Sequence, residues 1–592
     1  MIIKRADVSR SKIIACLVSL GMVLAILITG SAKPSLAQNC QYWVAPTGSN
    51  SNPGTSSQPW ATMSYAAATV PDNHCTVWFK SGLYVGLNEP ERRFSTPTTF
   101  KAVVPYTAVF ENNSIVLELD GNRHMIFDGF VFRHSGPGSS EYVVIGGRSS
   151  DGWLEHITFR NNIFHDSYDN DLLKIHNGSR FITVENNIFF NQGDSEQHMD
   201  VNSVTDVVIQ DNIFFHDFAG SGRQPFNTKA FIVVKDSNEG EDGLLGSERV
   251  ILRRNIFMNW QGDPGEQFLT IGNDGKPYHE AKDVQIENNL FIGNSNNESH
   301  AVLGVRGSKN VTFVNNTITG NLPTNAYAFR IEIIDSNPHN ENIFFYNNIW
   351  SDPTGTMGAD ASGDDSEFSD GDRATTINAT IDNNLYWNDG SSIPSGEFFS
   401  PLVDDDHRTV ANPLLNPNQN GVVLPRWQGS AFPSGNTTIR QEFLRLVEQY
   451  GSIPMNSAAV GKANPAYTPA DDILGNPRDA ASDLGAYEVS VGPANPVPVV
   501  TVVGPGMMGI SWHTHEAATG MVEYNTSPGN YTQTASSPAF TTHHYFVLSG
   551  LTLGERYYFR INNTFQDNET YQSGEYTFVV QTAIYLPIAV RQ

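Results

Sequence analysis

Ile157-Thr-Phe-Arg-Asn-Asn-Ile-Phe164, Ile182-Thr-Val-Glu-Asn-Asn-Ile-Phe189 and Val207-Val-Ile-Gln-Asp-Asn-Ile-Phe214 are three copies of one pattern, 25 residues apart. β-forming residues lead to a polar residue, then Asn-Asn or a variant of it, then an apolar pair. The pattern returns at Val250–Phe257, Val284–Phe291, Val311–Ile318, Ile343–Trp350 and Ala379–Tyr386, and a degenerate copy, Met125–Phe132, precedes the series. Longer spacings, up to 43 residues, read as one coil with a loop inserted. One such unit cannot bury its apolar face alone, whereas stacked units share a core, so the repeat marks a solenoid. β-branched and aromatic residues alternate with polar ones and no copy contains Pro, so each copy reads as a strand. Asn tolerates left-handed backbone, which suits the bend between two strands, and stacked Asn side chains can bond along the axis. The expected fold is all-β, a parallel β-helix with ladders of equivalent residues about 4.8 Å apart.

A second strand recurs between these copies. Val143–Gly146, Leu173–His176, Met199–Asn202, Ile232–Lys235, Leu269–Gly272, Leu303–Arg306 and Phe329–Glu332 align with apolar residues at positions one and three. Positions two and four then face outward. They place Lys174 one coil from Asp200, run His176, Asn202 and Lys235 along the next column, and bring Arg306 and Arg330 to the same strip. Loops before the strands add Asp166, Asp169 and Asp171, then Asp194 and Glu196.

Both ends of the repeat resemble the pectate-lyase-like superfamily of right-handed parallel β-helices. The entry Tyr42-Trp-Val-Ala-Pro-Thr-Gly-Ser-Asn-Ser-Asn-Pro-Gly54 looks like its cap. The exit Gly475-Asn-Pro-Arg478 with Asp483-Leu-Gly-Ala-Tyr-Glu488 looks like its closing motif. The resemblance implies a right-handed parallel β-helix over 38–490 and an extracellular polysaccharide as substrate or ligand. The segment Asp171–Ser179 also resembles the lysine-bearing strand of alginate-lyase-type β-helices. The following coil departs from that pattern, with Asp200 and Asn202 in place of an Arg-His pair.

Three uses of the strip follow. A polysaccharide lyase eliminating across a uronate needs a base, here Lys174 or Lys235 beside Asp200 and His176. It also needs a cation on the carboxylate, with Asn202, Arg306 and Arg330 as substrate contacts. Asp166, Asp169, Asp171, Asp194 and Glu196 supply oxygen ligands for a Ca²⁺. A glycoside hydrolase instead needs paired carboxylates, Asp200 with Asp171 or Glu196. A non-catalytic surface or adhesion protein is the third reading.

The chain's 592 residues carry a formal net charge of −26, which disfavours nucleic acid and anionic membranes as partners. Residues 1–37 read as a signal peptide: Lys4, Arg5, Arg10 and Lys12 precede an apolar run, and Ser35-Leu36-Ala37 fits a cleavage site. That implies a secreted or cell-surface protein with no membrane span after cleavage, expected to be a monomer. Cys16 leaves with the signal, and Cys40 and Cys75 remain as an expected disulfide stapling the cap. A Pro-rich linker at 491–500 leads to alternating short strands over 501–581. These resemble a fibronectin type III β-sandwich, with Trp512 in its core and Tyr557 at its corner. Residues 582–592 form an apolar tail.

Overall fold

A computed structural model describes residues 40–580, apart from 194–195, 225–227, 361, 364–365, 490–495, 497, 505 and 566–569. The expected signal peptide, most of the linker and the apolar tail lie outside the described residues. From Gln41 onward the chain forms one compact unit.

The repeat builds a three-faced parallel β-helix. One face carries the second recurring strand, from Leu117–Leu119 to Ser369–Asp370. The next carries the first half of the Asn-Asn pattern, from Gln41–Val44 to Thr376–Asp382. The third carries the apolar pair after Asn-Asn, from Gly82–Val85 to Thr409–Val410. In two coils the strands Leu173–Glu185 and Met199–Gln210 run continuously across the corner between the first two faces. Every strand pair in these faces is parallel among the described residues, as stacked coils require.

The Asn pairs do the architectural work expected of them. The first member sits in left-handed backbone, with φ of 55° at Asn161, 52° at Asn186 and 54° at Asn288, where Asn costs less than other side chains. The second member is buried and forms a ladder. Asn187 Nδ2 donates to Asn212 Oδ1 at 3.0 Å, Asn212 to Asn255 at 3.0 Å and Asn255 to Asn289 at 3.1 Å. The ladder continues through Asn316 and Asn348 to Asn384, whose amide ends on Asp405 Oδ2 at 3.0 Å. Each rung satisfies buried amides that would otherwise cost about 1–3 kcal/mol apiece. Inside the bend, Phe164, Phe189, Phe214, Phe257 and Phe291 stack at centroid distances of 4.7–5.0 Å.

The third face is covered on its outside. Ile188, Phe190, Ile213, Phe215, Ile256 and Met258 are buried against the helix Ile439–Leu446 and the segments around it, as the chain returns along the solenoid. Cys40 and Cys75 are disulfide-bonded. No helix among the described residues is long and apolar enough to cross a membrane.

The C-terminal module is an antiparallel sheet of six strands curled into a half-barrel. It wraps Ile510, Trp512, Phe559 and Ile561. Trp512 is a core residue as expected, and Tyr557 Oη accepts a hydrogen bond from Thr552 N at 3.2 Å.

Candidate functional site

The first face presents the expected strip, and its register holds from Leu173 onward. Leu173, Met199, Ile232, Leu269, Leu303 and Phe329 pair in sequence along the axis. The copy before them is shifted: Val144, not Val143, pairs with Leu173, so Ile145 stands beside Lys174.

Lys174 Nζ lies 2.7 Å from Asp200 Oδ2, with side-chain exposures of 15% and 2%. Burial alone would lower the Lys174 pKa, but Asp200 and Asp171 outweigh it and raise it above the ordinary lysine value. Burial opposes charge on Asp200, yet Lys174 and Lys235 hold its carboxyl below the usual range. Lys235, 3.2 Å from Asp274, is likewise raised: burial is overcome by Asp200 and Asp274. A general base needs its lysine shifted down. Both lysines are shifted up, so this geometry equips them as fixed cations. Burial and the Lys174 charge push the His176 imidazole down to about 4, and its buried Nε2 has no partner among the described residues.

The acids do not form a single cluster. Burial and the Asp200 charge push Asp171 well above the ordinary carboxyl value, and Glu196 is raised by the same two causes. Asp171 Oδ1 accepts from Gln197 N at 2.9 Å, while its Oδ2 and Asp200 Oδ1 are buried with no partner among the described residues. Asp166 stands apart from them. It follows the third-face strand Ile163–His165 and is taken up by His165, Arg223 and Asn191 at 2.7–3.0 Å. Asp169 Oδ2 accepts from Glu141 N at 2.7 Å. Asp194 lies outside the described residues. Among those described, no three acidic, His or Cys side chains gather where they could hold a metal ion.

The expected substrate contacts are engaged within the protein. Asn202 donates to Ser237 Oγ at 2.8 Å and accepts from Ser237 N at 3.0 Å. Arg306 holds Glu332 at 2.8 Å and Asn273 at 2.9 Å. Arg330 holds Glu332 at 2.9 Å and Asp370 at 3.2 Å.

One coil beyond Asp200 the face opens into a cleft of about 230 Å³, with Glu196, Lys229, Lys235, Glu266, Thr270 and Asn273 in its walls. Lys229 and Glu266 were not among the expected residues. Glu196, Lys229 and Glu266 each stand three residues before an aligned strand, at Met199, Ile232 and Leu269, and so form one column along the rim. Lys229 N donates to the Glu196 carbonyl at 3.0 Å, and Lys229 Nζ lies 3.0 Å from Glu266 Oε1. Extending the strand alignment three positions upstream would have found this column.

Residues 497–580 match the family described as purple acid phosphatase, N-terminal domain. That match replaces the fibronectin type III assignment expected for the module. In sequence, the chain matches none of the curated proteins. Among solved structures, the complex of XylC with xylose matches at 10% identity and a TM-score of 0.40, over 76% of this chain and 98% of the other. The catalytic unit of a thermostable GH87 α-1,3-glucanase from Streptomyces thermodiastaticus matches at 16% identity and 0.35, over 57% and 62%. The PL6 polysaccharide lyase Pedsa3628 from Pseudopedobacter saltans matches at 11% and 0.33, over 59% and 89%. Nothing about activity follows from likenesses this distant.

Proposed function

We propose that this chain is a secreted or cell-surface β-helix protein that hydrolyses a glycosidic bond of a polysaccharide in the first-face cleft, with Glu196 as general acid and Glu266 as base. The observation that supports this most is Glu196 itself. It is a half-buried carboxyl raised by burial and by Asp200, and it faces the same cleft as a second carboxylate that is paired with a lysine. Two carboxyl groups with divided environments are the usual basis for assigning acid and base. Glu196 gives its proton to the leaving oxygen as the glycosidic C–O bond breaks. Water adds to the anomeric carbon and gives its proton to Glu266. Asp200 is a positioning residue: after burial, its charge is the main cause that raises the Glu196 carboxyl. Glu196 and Glu266 are two coils apart, about 10 Å between backbones at about 4.8 Å per coil. Two coils is wider than the roughly 5 Å of a retaining pair, so inversion of the anomeric centre is the expected outcome.

The test is Glu196→Gln, assayed by new reducing ends on a panel of neutral and uronate polysaccharides. A loss of about 10²- to 10⁴-fold in kcat is expected, with the inverted anomer seen first by NMR in the wild type. The lyase reading keeps one support, the cations Lys174 and Lys235 near the cleft, which suit a uronate carboxylate. Products with a new ultraviolet-absorbing double bond, formed equally well by Glu196→Gln, would establish elimination and end the hydrolase reading. Binding without turnover on the whole panel would end both.

A further inference from the structure

A larger cavity, about 530 Å³, lies between the β-helix and the C-terminal module. That size falls within the range of about 300–1,000 Å³ usual for small-molecule sites. Asn161, Asn186 and Arg440 line it from the solenoid side, and Trp512, His513, His543 and Tyr545 from the module. The module residues come from the paired long strands Met507–Asn525 and Gln533–Leu548, where His513 stands opposite His543 with ring centroids 4.5 Å apart.

The chemistry of the wall is selective. Burial pushes His513 and His543 down to about 3, so both imidazoles are neutral at ordinary pH. The His513 ring makes no hydrogen bond among the described residues, and His543 Nδ1 stands 3.6 Å from Glu448 Oε1, beyond good hydrogen-bond distance. The charged groups of the wall are already committed. Arg440 lies 3.5 Å from Asp211 and donates to the Leu474 carbonyl at 3.0 Å. Asp128 is held by Lys101 at 3.1 Å and Arg160 at 3.0 Å. An anion would therefore meet no free cation, and a wholly apolar ligand would leave the imidazole nitrogens unsatisfied. A hydroxylated ring satisfies both conditions: its hydroxyls pair with the neutral imidazoles of His513 and His543, and a C–H face lies against Tyr545.

We propose that this cavity is a second carbohydrate site, one that takes a neutral sugar of one or two rings and is separate from the first-face cleft. The proposal stands whether or not the cleft hydrolyses anything. It places the module as a fixed sugar-holding element on the solenoid.

Calorimetric titration of the full chain carrying Glu196→Gln, which prevents turnover, tests it with cellobiose, xylobiose, maltose and laminaribiose, and with digalacturonate as the charged control. At least one neutral disaccharide should bind at a single site. His513→Phe, which keeps the ring and removes its nitrogens, should weaken that binding at least tenfold. Asn476→Trp, a bulky change on the solenoid wall of the cavity, should do the same. Lys229→Ala in the cleft should leave it unchanged. Thermal unfolding of both wall variants checks that they fold. The proposal falls if none of the four neutral sugars binds, if digalacturonate binds more tightly than all of them, or if binding survives both wall variants or is lost on Lys229→Ala.

Discussion

Asp200→Asn is the perturbation that most directly probes the charge arrangement of the first face. The Lys174–Asp200 pair is 2.7 Å long, and its side chains are 15% and 2% exposed. Removing one member of a buried pair strands the other and costs about 3–5 kcal/mol. An exposed pair would cost no more than about 1 kcal/mol. Lys174→Met should fall at the upper end, because it leaves Asp200 beside Asp171 and Glu196 with only Lys235 to offset three acids. Replacing both with apolar side chains, Lys174→Met with Asp200→Leu, should restore most of the loss, since well-packed substitutes for buried pairs are often neutral. Urea unfolding at pH 7 of the wild type, Lys174→Met, Asp200→Leu and the double variant, followed by tryptophan fluorescence and circular dichroism, gives the four corners of the cycle. The pH dependence has a definite sign. The folded Asp200 carboxyl lies below its ordinary value of 3.8. Its stabilisation is therefore present above that pH and fades as the pH falls below it. The cost of Asp200→Asn should shrink in the same window. Single variants costing under about 1 kcal/mol, or a double variant as unstable as the sum of its parts, would refute the reasoning.

Three further outcomes are expected. Asn255→Ala breaks bonds to Asn212 at 3.0 Å and Asn289 at 3.1 Å and leaves a buried amide unpaired. It should cost about 2–4 kcal/mol in urea unfolding. Phe214→Ala opens the aromatic stack between Phe189 and Phe257 and should cost about 3–5 kcal/mol by the same measure. Burial lifts Glu448 from 4.5 to about 7, so the folded protein keeps a proton the unfolded chain has lost. Stability should therefore fall by about 3 kcal/mol as pH rises from 4.5 to 7, at about 1.4 kcal/mol per unit, and unfolding of Glu448→Gln should lack that slope.

What the sequence makes legible in this protein is what repeats, and what it hides is what does not. The Asn column could be read because each coil imposes the same left-handed bend and the same buried amide. The first-face register could be read wherever apolar and polar residues alternate, as in Leu173-Lys-Ile-His176. It slipped at Val143-Val-Ile145, where all three residues are buried and no alternation fixes which one faces in. The third face carried a signal that the alternation rule passes over. In Ile188-Phe-Phe190 and Ile213-Phe-Phe215 both the inward and the outward residues are apolar, as in a sheet buried on both sides. The cover, Ile439–Leu446, comes more than two hundred residues later in the chain, so nothing local announces it. The cleft shows both behaviours. Lys174 beside Asp200 follows from coil spacing alone. The full upward shift of Lys174 does not, because Asp171 adds to the Asp200 charge and reaches the pair from a loop. Asp166 and Asp171 are five residues apart, yet one is held by Arg223 near the third face and the other lies beside Asp200. Loop residues have no period to place them. Glu196, Lys229 and Glu266 are the instructive exception. They lie in loops, but each is anchored three residues before a strand, so the solenoid's regularity reaches them and aligns an acid, a lysine and a second acid along the cleft.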